Sequence, residues 1–128
     1  MRLLIVGDDQ RAERLVLGLE SEEISLELPG PALATAGQVD EIGELAAAMR
    51  GFEERLIADA PDALLLASST DLALAALLVA TKLGIPVAGV GDAHESSGTG
   101  VNRRLIEQLA DTTLAADPEA IAAWLRAT

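Results

Sequence analysis

The chain has no cysteine and no tyrosine, and only one phenylalanine, one tryptophan and one histidine. Without cysteine there can be no disulfide, no thiolate nucleophile and no cysteine metal site. A single histidine cannot build a histidine-rich zinc site, and no residue cluster calls for a metal or a cofactor. Basic residues are scarce as well: 9 Lys and Arg stand against 21 Asp and Glu, a formal charge of −12. Duplex nucleic acid is therefore an unsuitable partner, because phosphates need a basic footprint. Long apolar runs are missing too. The longest uncharged one, residues 72–81, is closed by Asp71 and Lys82, far short of the roughly 20 residues that cross a bilayer. Met1 leads straight into an apolar run, leaving no room for a signal peptide. The expectation is a soluble, cytoplasmic protein without a membrane partner.

What is present is aliphatic. Half of the 128 residues are hydrophobic, mostly Ala, Leu, Ile and Val, a composition that suits helices packed on a buried sheet. The length suits one domain, residues 1–128, with a single core. Residues 2–6 form a short continuous apolar run ended by Gly7, the pattern of a strand buried on both faces. Ala12, Leu15, Val16 and Leu19 then fall on one helical face, and residues 24–28 alternate like a half-buried strand before Pro29-Gly30-Pro31 stops them.

Ile42, Leu45, Met49, Phe52 and Leu56 mark a long helix over about 39–58, with Gly43 and Gly51 inside it suggesting close packing or a bend. Residues 63–67 form the third strand. Ser69 or Thr70 can cap the next helix, which is apolar nearly all round from 72 to 83 and stops at Gly84. A helix of that kind is wedged into the core or faces a second subunit. Residues 85–90 form the fourth strand, and 91–100 a loop. Val101, Leu105 and Leu109 line one face of the following helix. A short fifth strand covers 112–116, and Asp117-Pro118-Glu119 starts a last helix, with Asp as cap and Pro in the first position. That helix carries Ile121, Trp124 and Leu125 inward, with Trp124 a core anchor.

Five strands alternating with helices predict a three-layer α/β fold. This is a Rossmann-like or flavodoxin-like parallel sheet, and right-handed crossovers give the order 2-1-3-4-5. Ligands of such sheets bind outside the carboxyl ends of the strands at the switch point. One crevice would thus gather residues 7–10, 68–71 and 92–102.

Within it, Ser96-Ser97-Gly98-Thr99-Gly100 opens a helix whose free N–H groups and dipole favour an anion, with Arg103 or Arg104 adding charge. The Arg pair could equally form ion pairs with Glu107. Asp92, His94 and Glu95 could form an acid/base cluster, since a carboxylate beside an imidazole fixes its tautomer. Asp8-Asp9 after the first strand suits a receiver-like signalling domain. The phosphorylatable Asp of a receiver, however, would fall near Ala67 and its lysine near Asp117.

Several collinear segments resemble the N-terminal domain of the non-hydrolysing UDP-N-acetylglucosamine 2-epimerase family. Pro61-Asp62-Ala63-Leu64-Leu65-Leu66 is similar to its PDLVLV strand, and Gly84-Ile85-Pro86-Val87-Ala88 to the start of its GIPVAHVEAG strand. Asn102-Arg103-Arg104-Leu105-Ile106 is similar to its NRRLID helix, and residues 115–120 to its APTEEA turn. The resemblance implies a glycosyltransferase-B-like domain standing without the second domain, which supplies most of the UDP contacts. It also implies lost chemistry. Ser69 stands where the family has an aspartate, Gly91 where it has the glutamate of HVEAG, and Thr99 and Gly100 where glutamates precede the Asn-Arg pair. Elimination and re-addition of UDP needs carboxylates to move protons.

The resulting expectation is an epimerase-like domain binding a small anionic or sugar-nucleotide-like ligand, or a protein partner. Its ligand residues would be Asp8, Asp9, Ser68, Ser69, Thr70, Ser96, Ser97, Gly98, Thr99, Asn102 and Arg103. The alternatives are an isomerase- or transferase-like enzyme using Asp92, His94 and Glu95 on a phosphorylated or nucleotide-sugar substrate, and the receiver-like domain. A homodimer is also expected, with its seam on helix 72–83 and part of helix 39–58 around Met49 and Phe52.

Overall fold

The computed structural model describes residues 1–7, 18, 24–27, 41–91 and 100–128. Five parallel strands, β1 (Arg2–Val6), β2 (Ser25–Glu27), β3 (Ala63–Leu66), β4 (Val87–Val90) and β5 (Thr112–Leu114), make one sheet in the order β2-β1-β3-β4-β5. Four helices are described: α1 (Glu41–Ala58), α2 (Asp71–Leu83), α3 (Gly100–Leu109) and α4 (Pro118–Ala127). Gly18 is helical too. The predicted fold class and strand order are both observed.

Side chains alternate across the pleat, which divides the core in two. Leu4, Val6, Leu64, Leu66 and Val87 face α1 and α2, packing with Ala48, Phe52, Leu56, Leu77 and, from α3, Ile106. Leu3, Ile5, Ala63, Leu65, Ala88 and Val90 face the opposite way, against Ile121 and Leu125 of α4. Every residue of β3 and every residue of β1 from Leu3 to Val6 is fully buried. This is why the sequence shows these strands as unbroken apolar runs rather than as an alternation. Trp124 packs half-buried on the α4 side, as expected for an anchor.

Helix α2 is held at both ends. Thr70, in an extended conformation, accepts the Ala73 N–H at 3.2 Å, and Gly84 (φ 76°) turns the chain out in the left-handed region while donating to the Ala80 and Thr81 carbonyls. Between the caps its apolar circumference is covered by the sheet below, α1 on one side and α3 on the other. The core-wedge reading of this helix is therefore the one observed. Of the residues expected at a dimer seam, Phe52 is fully buried and Met49 packs on the core, because α1 and α2 cover each other. Helix α1 runs unbroken through Gly43 and Gly51.

Helix α3 differs from the simplest reading of its pattern. Val101, Leu105 and Leu109 are 51%, 37% and 42% exposed, while Asn102 and Ile106 are buried. The stripe they form is real but faces outward. The inward face is set instead by Asn102's hydrogen bonds and by Ile106, whose Cγ2 would lie 3.3 Å from a β-carbon on Gly89.

At the amino end of the sheet, Glu27 joins β1, β2 and α1. Its carboxylate accepts from Arg2 Nε at 2.6 Å and from Arg55 Nη2 at 3.0 Å, while Arg2 Nη2 lies 2.9 Å from Asp59. The Arg2 hydrogen bond, aided by Arg55 and opposed by partial burial, holds the Glu27 carboxyl below its ordinary value of 4.5. A lowered acid pKa means that the unfolded chain binds the proton more readily. The Glu27 contribution is therefore complete above the ordinary value and is lost as pH falls below it. Denaturant unfolding followed from neutral to acid pH should show this loss. Glu27→Gln should be less stable at neutral pH, and its acid limb should be flatter than that of the parent chain.

Candidate functional site

The carboxyl ends of the strands are the one edge at which a sheet buried on both faces can meet a ligand. There β1 ends in Gly7 and β3 runs on into Ala67. The two cross so closely that a β-carbon on Gly7 would lie 2.7 Å from Ala67 Cβ and 3.1 Å from its backbone. Glycine is required at position 7 by this approach. It lets β1 and β3 lie side by side up to the switch point, where Ala67 N–H donates to the Val6 carbonyl at 2.8 Å.

After Ala67 the chain turns through Ser68, Ser69 and Thr70 into α2. Ser68 and Ser69 are 5% and 2% exposed. The hydroxyls of Ser68 and Thr70 share a hydrogen bond of 3.3 Å, and Thr70 Oγ1 also caps α2. Across from them, the first turn of α3 presents Asn102. Its amide Nδ2 donates to the Ser69 carbonyl at 3.1 Å and to Asp71 Oδ1 at 2.8 Å. Asn102 is 6% exposed, so these bonds form in a poorly solvated place, where they strongly fix the relative position of two strand-end segments. The structure thus gives Asn102 a bracing task.

Arg103 points along the helix and pairs with Glu107 one turn on, at 3.1 Å. Both side chains are about half exposed, so the pair adds little stability. The ion pair anticipated between the Arg pair and Glu107 is formed by Arg103. Helix α3 has no acidic residue in its first turn, and Arg103 adds a positive charge beside the positive end of its dipole. Between β3, β4, β5 and α3 lies a recess of about 20 Å³, lined among others by Ser68, Ser69, Gly89, Arg103, Glu107 and Thr113.

The structure therefore brings Ser68, Ser69, Thr70, Asn102 and Arg103 to one place. Asp8, Asp9, Asp92, His94, Glu95, Ser96, Ser97, Gly98 and Thr99 lie outside the described residues. Asp71, Glu107 and Thr113 join the site without having been singled out as ligand residues. Of these, Glu107 had a signal in the sequence, four residues after Arg103. Among the described residues no group of three or more His, Cys, Asp or Glu side chains could hold a metal ion, and no helix is long and apolar enough to cross a membrane.

The fold is similar to that of part of several solved UDP-GlcNAc 2-epimerases. The UDP-GlcNAc 2-epimerase of Methanocaldococcus jannaschii superposes with a TM-score of 0.74 at 22% identity, over 99% of this chain and 42% of the other. The same enzyme in complex with UDP-GlcNAc and UDP gives 0.73 at 20% identity, over 99% and 43%. The Neisseria meningitidis UDP-GlcNAc 2-epimerase bound to UDP-GlcNAc gives 0.70 at 19%, over 90% and 40%. The chain spans about two fifths of the length of these neighbours. No protein-family model and no curated protein matches it.

Two substitutions test the site's construction. Asn102→Ala removes both donated bonds and leaves the Ser69 carbonyl and Asp71 to find other partners. Urea unfolding should show a loss of about 1–3 kcal/mol, the usual cost of stranding a buried polar group. Gly7→Val should cost at least a comparable amount, because Ala67 backbone atoms lie in the way and overpacking typically costs about 1–3 kcal/mol.

Proposed function

We propose that this chain is an epimerase-like binding domain. It holds a small anionic or sugar-nucleotide-like ligand over the carboxyl ends of its strands and does not epimerise it. The observation that carries this reading is the pairing of a nucleotide-sugar 2-epimerase fold with the residues at its strand ends. Ser69 and Gly91 occupy positions at which the resemblance expects carboxylates, and Thr99 and Gly100 occupy two more. Moving a proton at a sugar carbon needs a base within hydrogen-bond reach, and a serine hydroxyl without a basic neighbour is a poor one. Ligand recognition has more support. Arg103 and the first turn of α3 supply positive potential, and neighbours of the same fold are described in complexes with UDP-GlcNAc and UDP.

The domain is read as a single unit over residues 1–128, working in the cytoplasm, with a second copy or a partner protein as its associate. Among the described residues, the apolar surface open to an associate includes the outer stripe of α3, Val101, Leu105 and Leu109, besides Ile57 at the end of α1 and Leu83 at the end of α2.

Calorimetric titration with UDP-GlcNAc and with UDP tests the reading. Saturable binding of either, weakened about tenfold or more by Arg103→Ala, is the expected result. Incubation with UDP-GlcNAc should yield no 2-epimer. Turnover would refute the loss of chemistry, and no binding of either compound at millimolar concentration would refute the ligand class. Light scattering should give a mass above that of one chain, reduced by Leu105→Glu.

A further inference from the structure

The geometry points to a second binding site, at the amino ends of β4 and β5: the groove beside Trp124 takes the cationic end of a small organic ammonium compound. It lies at the opposite end of the sheet from Ser68 and Arg103 and does not rest on the reading above.

The groove measures about 380 Å³ and lies between the end of α2, the entry to β4 and the face of α4, with Thr81, Ile85, Pro86, Asp111 and Trp124 on its walls. That volume falls in the range of small-molecule sites. The walls are held in place by the backbone. Gly84 closes α2, and the Ile85 N–H donates to the Ala80 carbonyl at 2.9 Å. Asp111 and Val87 are tied twice, Asp111 N–H to the Val87 carbonyl and Val87 N–H to Asp111 Oδ2, both at 2.8 Å. Trp124 is anchored as well, since it packs against the core that contains Ile121 and Leu125 while remaining half-buried.

Two polar groups on these walls are left over. Asp111 Oδ1 and the Trp124 indole N–H make no hydrogen bond among the described residues, and no lysine or arginine lines the groove. A carboxylate and an indole on one groove suit an ammonium ion: the carboxylate supplies the opposite charge, and the aromatic ring attracts a cation through its quadrupole. Pro86 and Ile85 offer apolar surface to the methyl or methylene groups that such an ion carries. The excess of 21 acidic over 9 basic residues adds a field of the same sign. An anion would meet the Asp111 charge with no cation on the walls to offset it. The two ends of the sheet thus favour ligands of opposite sign, anions near Arg103 and cations near Asp111.

Trp124 is the one tryptophan and the chain has no tyrosine, so indole fluorescence reports on this groove alone. Titration at constant ionic strength with choline, and with its uncharged carbon counterpart neohexanol, tests the proposal. A saturable change in Trp124 emission with choline is expected, at a concentration at least about tenfold below any produced by the alcohol. Asp111→Asn keeps an oxygen for the Val87 N–H but removes the charge; it should unfold near the parent's urea midpoint and lose the preference for choline. Equal responses to the two compounds, no saturable response to choline up to tenths of a molar, or a folded Asp111→Asn that binds choline as the parent does would each overturn the proposal. Should Asp111→Asn fail to fold, the comparison of choline with neohexanol in the parent chain decides by itself.

Discussion

The inner strands β1 and β3 have no wet face. From Leu3 to Val6 and from Ala63 to Leu66 every side chain is fully buried, because parallel pairing forces each connection to cross over a face and cover it. The rest of the molecule follows from that constraint. Helices must be apolar where they lie on the sheet, and α2, which lies in the middle of its layer, must be apolar nearly all round. Among the described residues, β1 and β3 approach solvent at their ends. Polar residues therefore accumulate there for structural reasons before any function is considered.

This bears on how the strand-end residues divide their tasks. Ser68 and Ser69 are inside the protein, and Asn102 is spent on holding α3 to the β3–α2 turn. Thr70 works mainly as a helix cap. Among the described residues, Arg103 and the backbone of the α3 first turn are what the proposed ligand would meet directly, held in place by the Asn102 brace.

Strands β1, β3 and β4 were readable because a buried parallel strand leaves a plain mark: four or five mostly aliphatic residues bounded by Gly, Pro or Asp. The start of α4 was equally plain, since Asp117 both caps the helix, accepting the Glu119 N–H at 3.2 Å, and precedes a proline already shaped for the first turn. The inward face of α3 was not readable. Periodicity finds Val101, Leu105 and Leu109, and nothing local says that a buried asparagine one position away will bond to a loop more than thirty residues earlier. Nor does the sequence distinguish a serine that faces solvent from one that is 2% exposed, so Ser69 could be placed at the strand end but not at its depth. For α2 the apolar circumference allowed two outcomes, and only the packing of α1 and α3 on its flanks decides between them.

Strand β1, interior to the sheet, is also the first of the five in sequence. Leu3 pairs with Leu26 on one side and with Ala63 on the other, the latter sixty positions away. A pairing of that span must close a long loop before it returns any stabilisation. Until β3 is available, the aliphatic run from Leu3 to Val6 has no complete place to hide, and a chain leaving the ribosome makes it tens of residues before its partner. The order of manufacture is thus opposed to the order of burial. The exposure of this one strand sets the interval in which the nascent protein is most open to association with other chains.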